Sequence, residues 1–205
     1  MGNPTKYGDA LTPHDEEPLS EMVIRFVPLD LVIQWRRCGM IADFLADFLA
    51  YNFKHKDTAR NVISTVLNEL LENAVKFSPE KHRRASLALI YHGETIRIQT
   101  RNTSNMKHVA SLRRLVERLC SEDPEILFLE QLQYSTTEDP EASGLGIVTL
   151  KKDYLARIAI ELSENDDPPA AGDAPKEGDG GGDNGDELVN VQVTMELDVA
   201  ELDRE

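Results

Sequence analysis

The stretch V-I-S-T-V-L-N-E-L-L-E-N-A-V-K-F-S, Val62 to Ser78, decides the fold. Val62, Val66, Leu70 and Ala74 recur at helical spacing, and Ile63, Leu67 and Leu71 widen the stripe, so one face of a helix is built to pack on a sheet. The helix is expected to open at Asp57 as N-cap and to run to Phe77, where Ser78-Pro79 stops it. Beside the apolar stripe lie Glu69, Glu72, Asn73 and Lys76, at i, i+3, i+4 and i+7 on a shared face. Asn is a poor residue for a helix interior, and here it stands far from either cap.

Working outward, Met22 to Val27 reads as a strand and Leu31 to Phe53 as an amphipathic helix carrying Ile33, Cys38, Ile41, Phe44, Leu45, Phe48 and Leu49. After the central helix, Ala85 to His92 and Thr95 to Asn102 form a hairpin through Gly93-Glu94. Val109, Leu112, Leu115, Val116 and Leu119 mark a third helix, and Asp123-Pro124 opens a fourth around Ile126 to Leu132. Residues 134 to 143 have loop composition and lead into Ser143-Gly144-Leu145-Gly146 and a short helix ending at Tyr154. Ala156 to Leu162 and Leu188 to Leu197 close the chain as strands, the second alternating Val189, Val191, Val193, Met195 and Leu197 with polar residues. That order predicts an α+β two-layer sandwich, a mixed and mostly antiparallel sheet with helices on one face.

The 205 residues carry a net charge of −15, and the excess lies at the edges. Residues 164 to 187 alone hold nine acids against one Lys, with six glycines and three prolines, which is the composition of a disordered insertion in a hairpin. Residues 1 to 20 read as a mobile polar leader, 21 to 200 as one domain, and 201 to 205 as a tail. The body from 22 to 163 is close to neutral, which excludes the basic field of a nucleic-acid binder. No apolar run is long enough to span a membrane and no signal-peptide centre is present, so a cytoplasmic protein is expected. Cys38 and Cys120 fall inside helical apolar patterns and read as reduced core residues. The histidines show no metal-ligand spacing.

Two segments carry candidate chemistry. The face of Glu69, Asn73 and Lys76 offers a carboxylate, an amide oxygen and an ammonium within two turns, a set suited to a magnesium–triphosphate. Read without ligand, the same residues are a solvated face with an i,i+4 Glu72-Lys76 pair. Gly144-Leu145-Gly146 opening a helix suits a phosphate, because glycine permits close backbone approach and the helix start supplies N–H groups. A tight turn explains it equally.

E-L-L-E-N-A-V-K-F-S resembles the N-box of the GHKL ATPase and kinase superfamily, and S-G-L-G-I-V resembles its second glycine box, at a similar separation. The resemblance implies the Bergerat-type ATP-binding fold, with ATP and Mg2+ as cofactors. It implies Glu69 as the general base, Asn73 as the magnesium ligand, Lys76 as a phosphate contact, and Gly144, Leu145 and Gly146 as the box that closes over the phosphates. Where the family has D-x-G-x-G, this chain has Asn102-Thr103-Ser104-Asn105-Met106; Asn102 can accept from adenine through its amide oxygen, but Ser104 and Met106 replace the glycines. Among subfamilies the chain is most similar to stand-alone anti-sigma serine kinases of the SpoIIAB and RsbW type and to SiaB-like bacterial regulators. That kinship implies phosphorylation of Ser or Thr on a small STAS-domain partner, with a homodimer as a further expectation. The alternative is a non-catalytic binding module that sequesters its partner, using surfaces such as Arg113, Arg114 and Arg118.

Overall fold

A computed structural model describes residues 4–137, 144–164 and 188–203. Six strands form one sheet in the order β1-β5-β6-β4-β3-β2: β1 Thr5–Gly8, β2 Ser20–Phe26, β3 Ala85–Tyr91, β4 Thr95–Asn105, β5 Arg157–Glu164 and β6 Leu188–Asp198. Every pairing is antiparallel, where a mixed sheet was expected. The reason lies in β6. It enters between β4 and β5, which run the same way, and bonds antiparallel to both, so the two never meet as a parallel pair.

The helices are α1 Pro28–Ile33, α2 Arg36–Ala50, α3 Lys56–Lys76, α4 Met106–Ser121, α5 Pro124–Thr137, α6 Leu145–Tyr154 and α7 Val199–Leu202. α3 lies on the sheet through β3 and β4, and α2 packs on α3, giving the expected two-layer sandwich. The core between them is formed by Leu45, Leu49, Ile63, Leu67, Leu70 and Leu71 from helices and by Leu87, Leu89, Ile96 and Ile98 from strands. α3 starts one residue earlier than expected, placing Asp57 in its first turn, where it complements the dipole.

The structure departs from the sequence expectation in three further places. The helix expected from Leu31 to Phe53 is two, because the backbone leaves helical geometry at Gln34 (φ −128°, ψ 66°). The fourth helix is longer, carrying Tyr134–Thr137 that were read as loop, while 138–143 lie outside the described residues. The leader is in part structured: Thr5–Gly8 add an edge strand to β5, and the Thr12 N–H and hydroxyl both donate to Glu196 on β6. Periodicity could not reveal this, since a four-residue strand borrows its order from the partner ladder. Of the acidic insertion, only Glu164 is described, at the end of β5; 165–187 lie outside. Cys38 is buried as expected, whereas Cys120 is exposed, its thiol near Asp9; both are free. Among the described residues no helix is long and apolar enough to cross a membrane.

Candidate functional site

The middle of α3 turns Glu69, Asn73 and Lys76 away from the sheet while Leu70, Leu71 and Ala74 stay in the core. Glu69 accepts one hydrogen bond, from the Asn73 side-chain amide at 2.8 Å, which leaves the Asn73 carbonyl oxygen as an acceptor. Burial pushes the Glu69 carboxyl above its ordinary value, and the neighbouring Glu72 charge adds to this against the Asn73 amide and Lys76. Glu72 is bonded by Asn68 at 2.6 Å, so the ladder of this face runs 68 to 72 and 69 to 73. Lys76 places its ammonium 5.2 Å from the Phe77 ring centroid.

α6 brings the glycine turn to the same place. Gly144 is its N-cap, at φ +61°, and the Leu115 side chain presses where a Cβ would stand. Two residues on, Gly146 rests directly on the Glu69 carboxylate, and a Cβ at this position would collide with both carboxylate oxygens. The two motifs, some seventy residues apart in sequence, therefore meet at one contact. Leu145 lies between the two glycines, half-buried.

Asn102 takes a different position from that of a turn residue. β4 continues without a break to Asn105, whose side chain caps α4 by accepting from the His108 N–H at 2.9 Å. Asn102 is buried, its amide nitrogen donating to the Ser78 hydroxyl and the Thr103 carbonyl, both at 3.2 Å. Ser104 donates to the Phe77 carbonyl at 2.8 Å. Residues standing in place of D-x-G-x-G thus tie the C-terminus of α3 to the sheet; sequence reading missed the anchoring role of Ser78 and Ser104, because a Ser that bonds across elements has no local pattern.

Two open clefts among the described residues lie elsewhere. One, of about 560 Å3, lies between α2 and Tyr91; the other, of about 600 Å3, lies on the open sheet face around Arg25, Arg84 and Arg101. Neither is lined by Glu69, Asn73 or Gly146. Arg113 and Arg118, named for the binding-module alternative, are tied to Glu117 and to Glu122 and Glu130 respectively, so they face the protein's own carboxylates.

No protein-family model and no curated protein matches the chain. Among solved structures, it is similar to a chain of the crystal structure of the SiaB-SiaC complex from Pseudomonas aeruginosa, at 16% identity and a TM-score of 0.50, covering 78% of this chain and 83% of that one. The two share a fold.

As a donor set, Glu69 and Asn73 fit a magnesium–nucleotide: a carboxylate held partly toward its neutral form can take a proton, and an amide oxygen is a hard ligand for Mg2+. Among the described residues no group of three His, Cys, Asp or Glu gathers as a self-sufficient metal site, so the metal would complete its shell with phosphate and water oxygens. The contact of Gly146 with Glu69 leaves no space for phosphates between them, so a nucleotide there would need the Glu69 side chain or the first turn of α6 to move aside.

Proposed function

We propose that the protein is a Mg-ATP-dependent serine/threonine kinase that modifies a small STAS-domain partner in a bacterial signalling switch. The supporting observation is the meeting of Glu69 and Gly146, which sets the base-like carboxylate and the glycine turn on one spot. In this reading Asn73 would hold the metal through its side-chain oxygen, with Lys76 one turn on toward the phosphates, and Gly144 to Gly146 would close over them. Bound Mg-ATP supplies the electrophilic γ-phosphoryl group. Glu69 orients the partner's hydroxyl and takes its proton as that oxygen bonds to phosphorus and the bond to the β-phosphate oxygen breaks, releasing ADP. Burial holds the Glu69 carboxyl above its ordinary value, the direction that favours a general base.

A second reading, the non-catalytic module, is favoured by the unbroken β4 and the commitment of Asn102 to Ser78. One experiment separates the two. Calorimetric titration with Mg-ATP and label transfer to a STAS-domain protein encoded beside the gene should both be positive for the kinase. Glu69→Gln is expected to abolish transfer while sparing ATP binding, and Asn73→Ala to weaken both. No binding and no transfer would leave only the module.

A further inference from the structure

On the open face of the sheet the arginines are treated unequally. Arg97 and Arg157 share the buried Glu196, where the chain at Thr12 and His14 crosses the face. Four residues along β4 from Arg97 stands Arg101, exposed, with Arg25 and Arg84 exposed beside it. The register makes these three a cluster. Arg25 and Arg101 are the cross-strand neighbours of Ser86 on its two sides, about 10 Å apart across two strand spacings. Arg84 precedes Ser86 by two residues, so the pleat turns it to the same face. Among the described residues none of the three meets a carboxylate. The Arg101 guanidinium donates to the Gln192 side-chain oxygen at 2.5 and 3.2 Å, which fixes its fork without neutralising it. Like charges side by side on a sheet are destabilising, and in a chain of net charge −15 a shortage of acids does not explain them.

The three guanidiniums border the open cleft of about 600 Å3, with the Ser86 and Thr103 side chains between them. We propose that this cleft binds a compact polyphosphate anion, a diphosphate group held by Arg25, Arg84 and Arg101 together. Guanidinium forks match phosphoryl oxygens two at a time, and two phosphoryl groups at about −1.5 to −2 each balance three cations where one carboxylate would not. Ser86 and Thr103 add hydroxyl donors on the same face. The surroundings oppose an extended polyanion. Glu161, ion-paired with Lys6 at 3.2 Å, closes the β5 side, and β5 ends at Glu164 beside the Ser163 and Asn190 rim, where the acidic stretch of the sequence begins. A nucleic-acid strand would meet those charges. Among the described residues no aromatic ring lines the cleft, so a base would find no stacking partner and the phosphates alone are recognised. The cleft lies across the sheet from Glu69 and Asn73, so this site stands apart from the nucleotide reading above.

Calorimetric titration of the full chain with pyrophosphate, without magnesium, tests it. Binding is expected, and Arg84→Gln and Arg101→Gln should each weaken it by roughly 10-fold or more, as loss of a charge-assisted pair does. Arg101→Lys, which keeps the charge but not the fork, should fall between. These side chains are exposed, so the far-ultraviolet circular dichroism should stay unchanged in every variant. In amide spectra pyrophosphate should shift Ser86, Arg101 and Thr103 and leave Glu69 and Asn73 in place. A wild type that does not bind pyrophosphate overturns the proposal, as does binding indifferent to the arginine variants. An oligoglutamate peptide or a single-stranded oligonucleotide held by these arginines more tightly than pyrophosphate also overturns it, by showing an acidic segment or a nucleic acid as the occupant.

Discussion

Two carboxylates, Glu196 fully buried and Glu69 half-buried, stand on opposite sides of the sheet, and the protein treats them in opposite ways. Glu196, 1% exposed on β6, is met by Arg97 at 2.7 Å, Arg157 at 2.9 Å, and the Thr12 N–H and hydroxyl at 3.0 and 2.8 Å. Burial pushes its carboxyl upward, but the Thr12 and Arg97 bonds overcome that and hold it below its ordinary value. Among the described residues Glu69 has the Asn73 amide as its one hydrogen-bond donor, with the Lys76 charge farther off and Gly146 packed against it, and burial wins. A carboxylate met by four donors is a structural bolt; one left short of donors stores basicity that a ligand or a reaction can use.

The largest effect is expected at the bolt. Glu196→Ala leaves Arg97 and Arg157 facing each other without an anion and releases Thr12, which should cost about 3 kcal/mol in urea unfolding and speed amide exchange over residues 9–14. Next comes Gly146→Ala. In a helix alanine is ordinarily worth up to about 1 kcal/mol over glycine, so a gain of that size in the first turn of α6 would disprove the contact. The clash, which the flexible Glu69 side chain relieves by swinging aside, instead predicts a net loss of about 1 kcal/mol or less, recovered in the double variant with Glu69→Ala.

Glu69→Gln should leave stability at neutral pH unchanged or raise it by up to about 1 kcal/mol, the reverse of what removing Glu196 does. The pH profiles sharpen this contrast. Glu196 has a folded pKa below its ordinary 4.5, so its contribution is present above that value and fades as pH falls through the lower folded one. Glu69 has a folded pKa above 4.5, so it favours the fold below that value and loses this as pH rises through the raised one. Unfolding free energies of the wild type and Glu69→Gln should therefore diverge as pH rises above 4.5, whereas those of the wild type and Glu196→Gln, set apart above 4.5, should converge as pH falls below it. The smallest effect is expected for His14→Ala, about 0.5–1 kcal/mol, through loss of its stack on His92 (centroids 3.7 Å apart) and its 2.9 Å bond to Thr95.

Legibility followed the range of the interactions. α3 was readable because its stripe and its polar face are both set by one local period. Asp123-Pro124 announced α5 because a Pro at a helix start and an Asp side chain accepting from the Glu125 N–H are neighbours in sequence. The break between α1 and α2 and the strand at Thr5–Gly8 were hidden, since both answer to distant packing. The departure at Asn102 to Met106 was visible as missing glycines, but its meaning as a strand and an anchor for Ser78 and Phe77 was not.

The sequence by itself determined the composition of each layer and the residues of α3 able to do chemistry, because hydrophobic period and side-chain type are properties of a few adjacent positions. Tertiary structure alone decided that β6 inserts between β4 and β5, that Gly146 closes on Glu69, and that Thr12 completes the cage of Glu196. These join segments from 25 residues apart, at Glu164 and Val189, to 184 apart, at Thr12 and Glu196, and only the assembled sheet brings such groups within bonding distance.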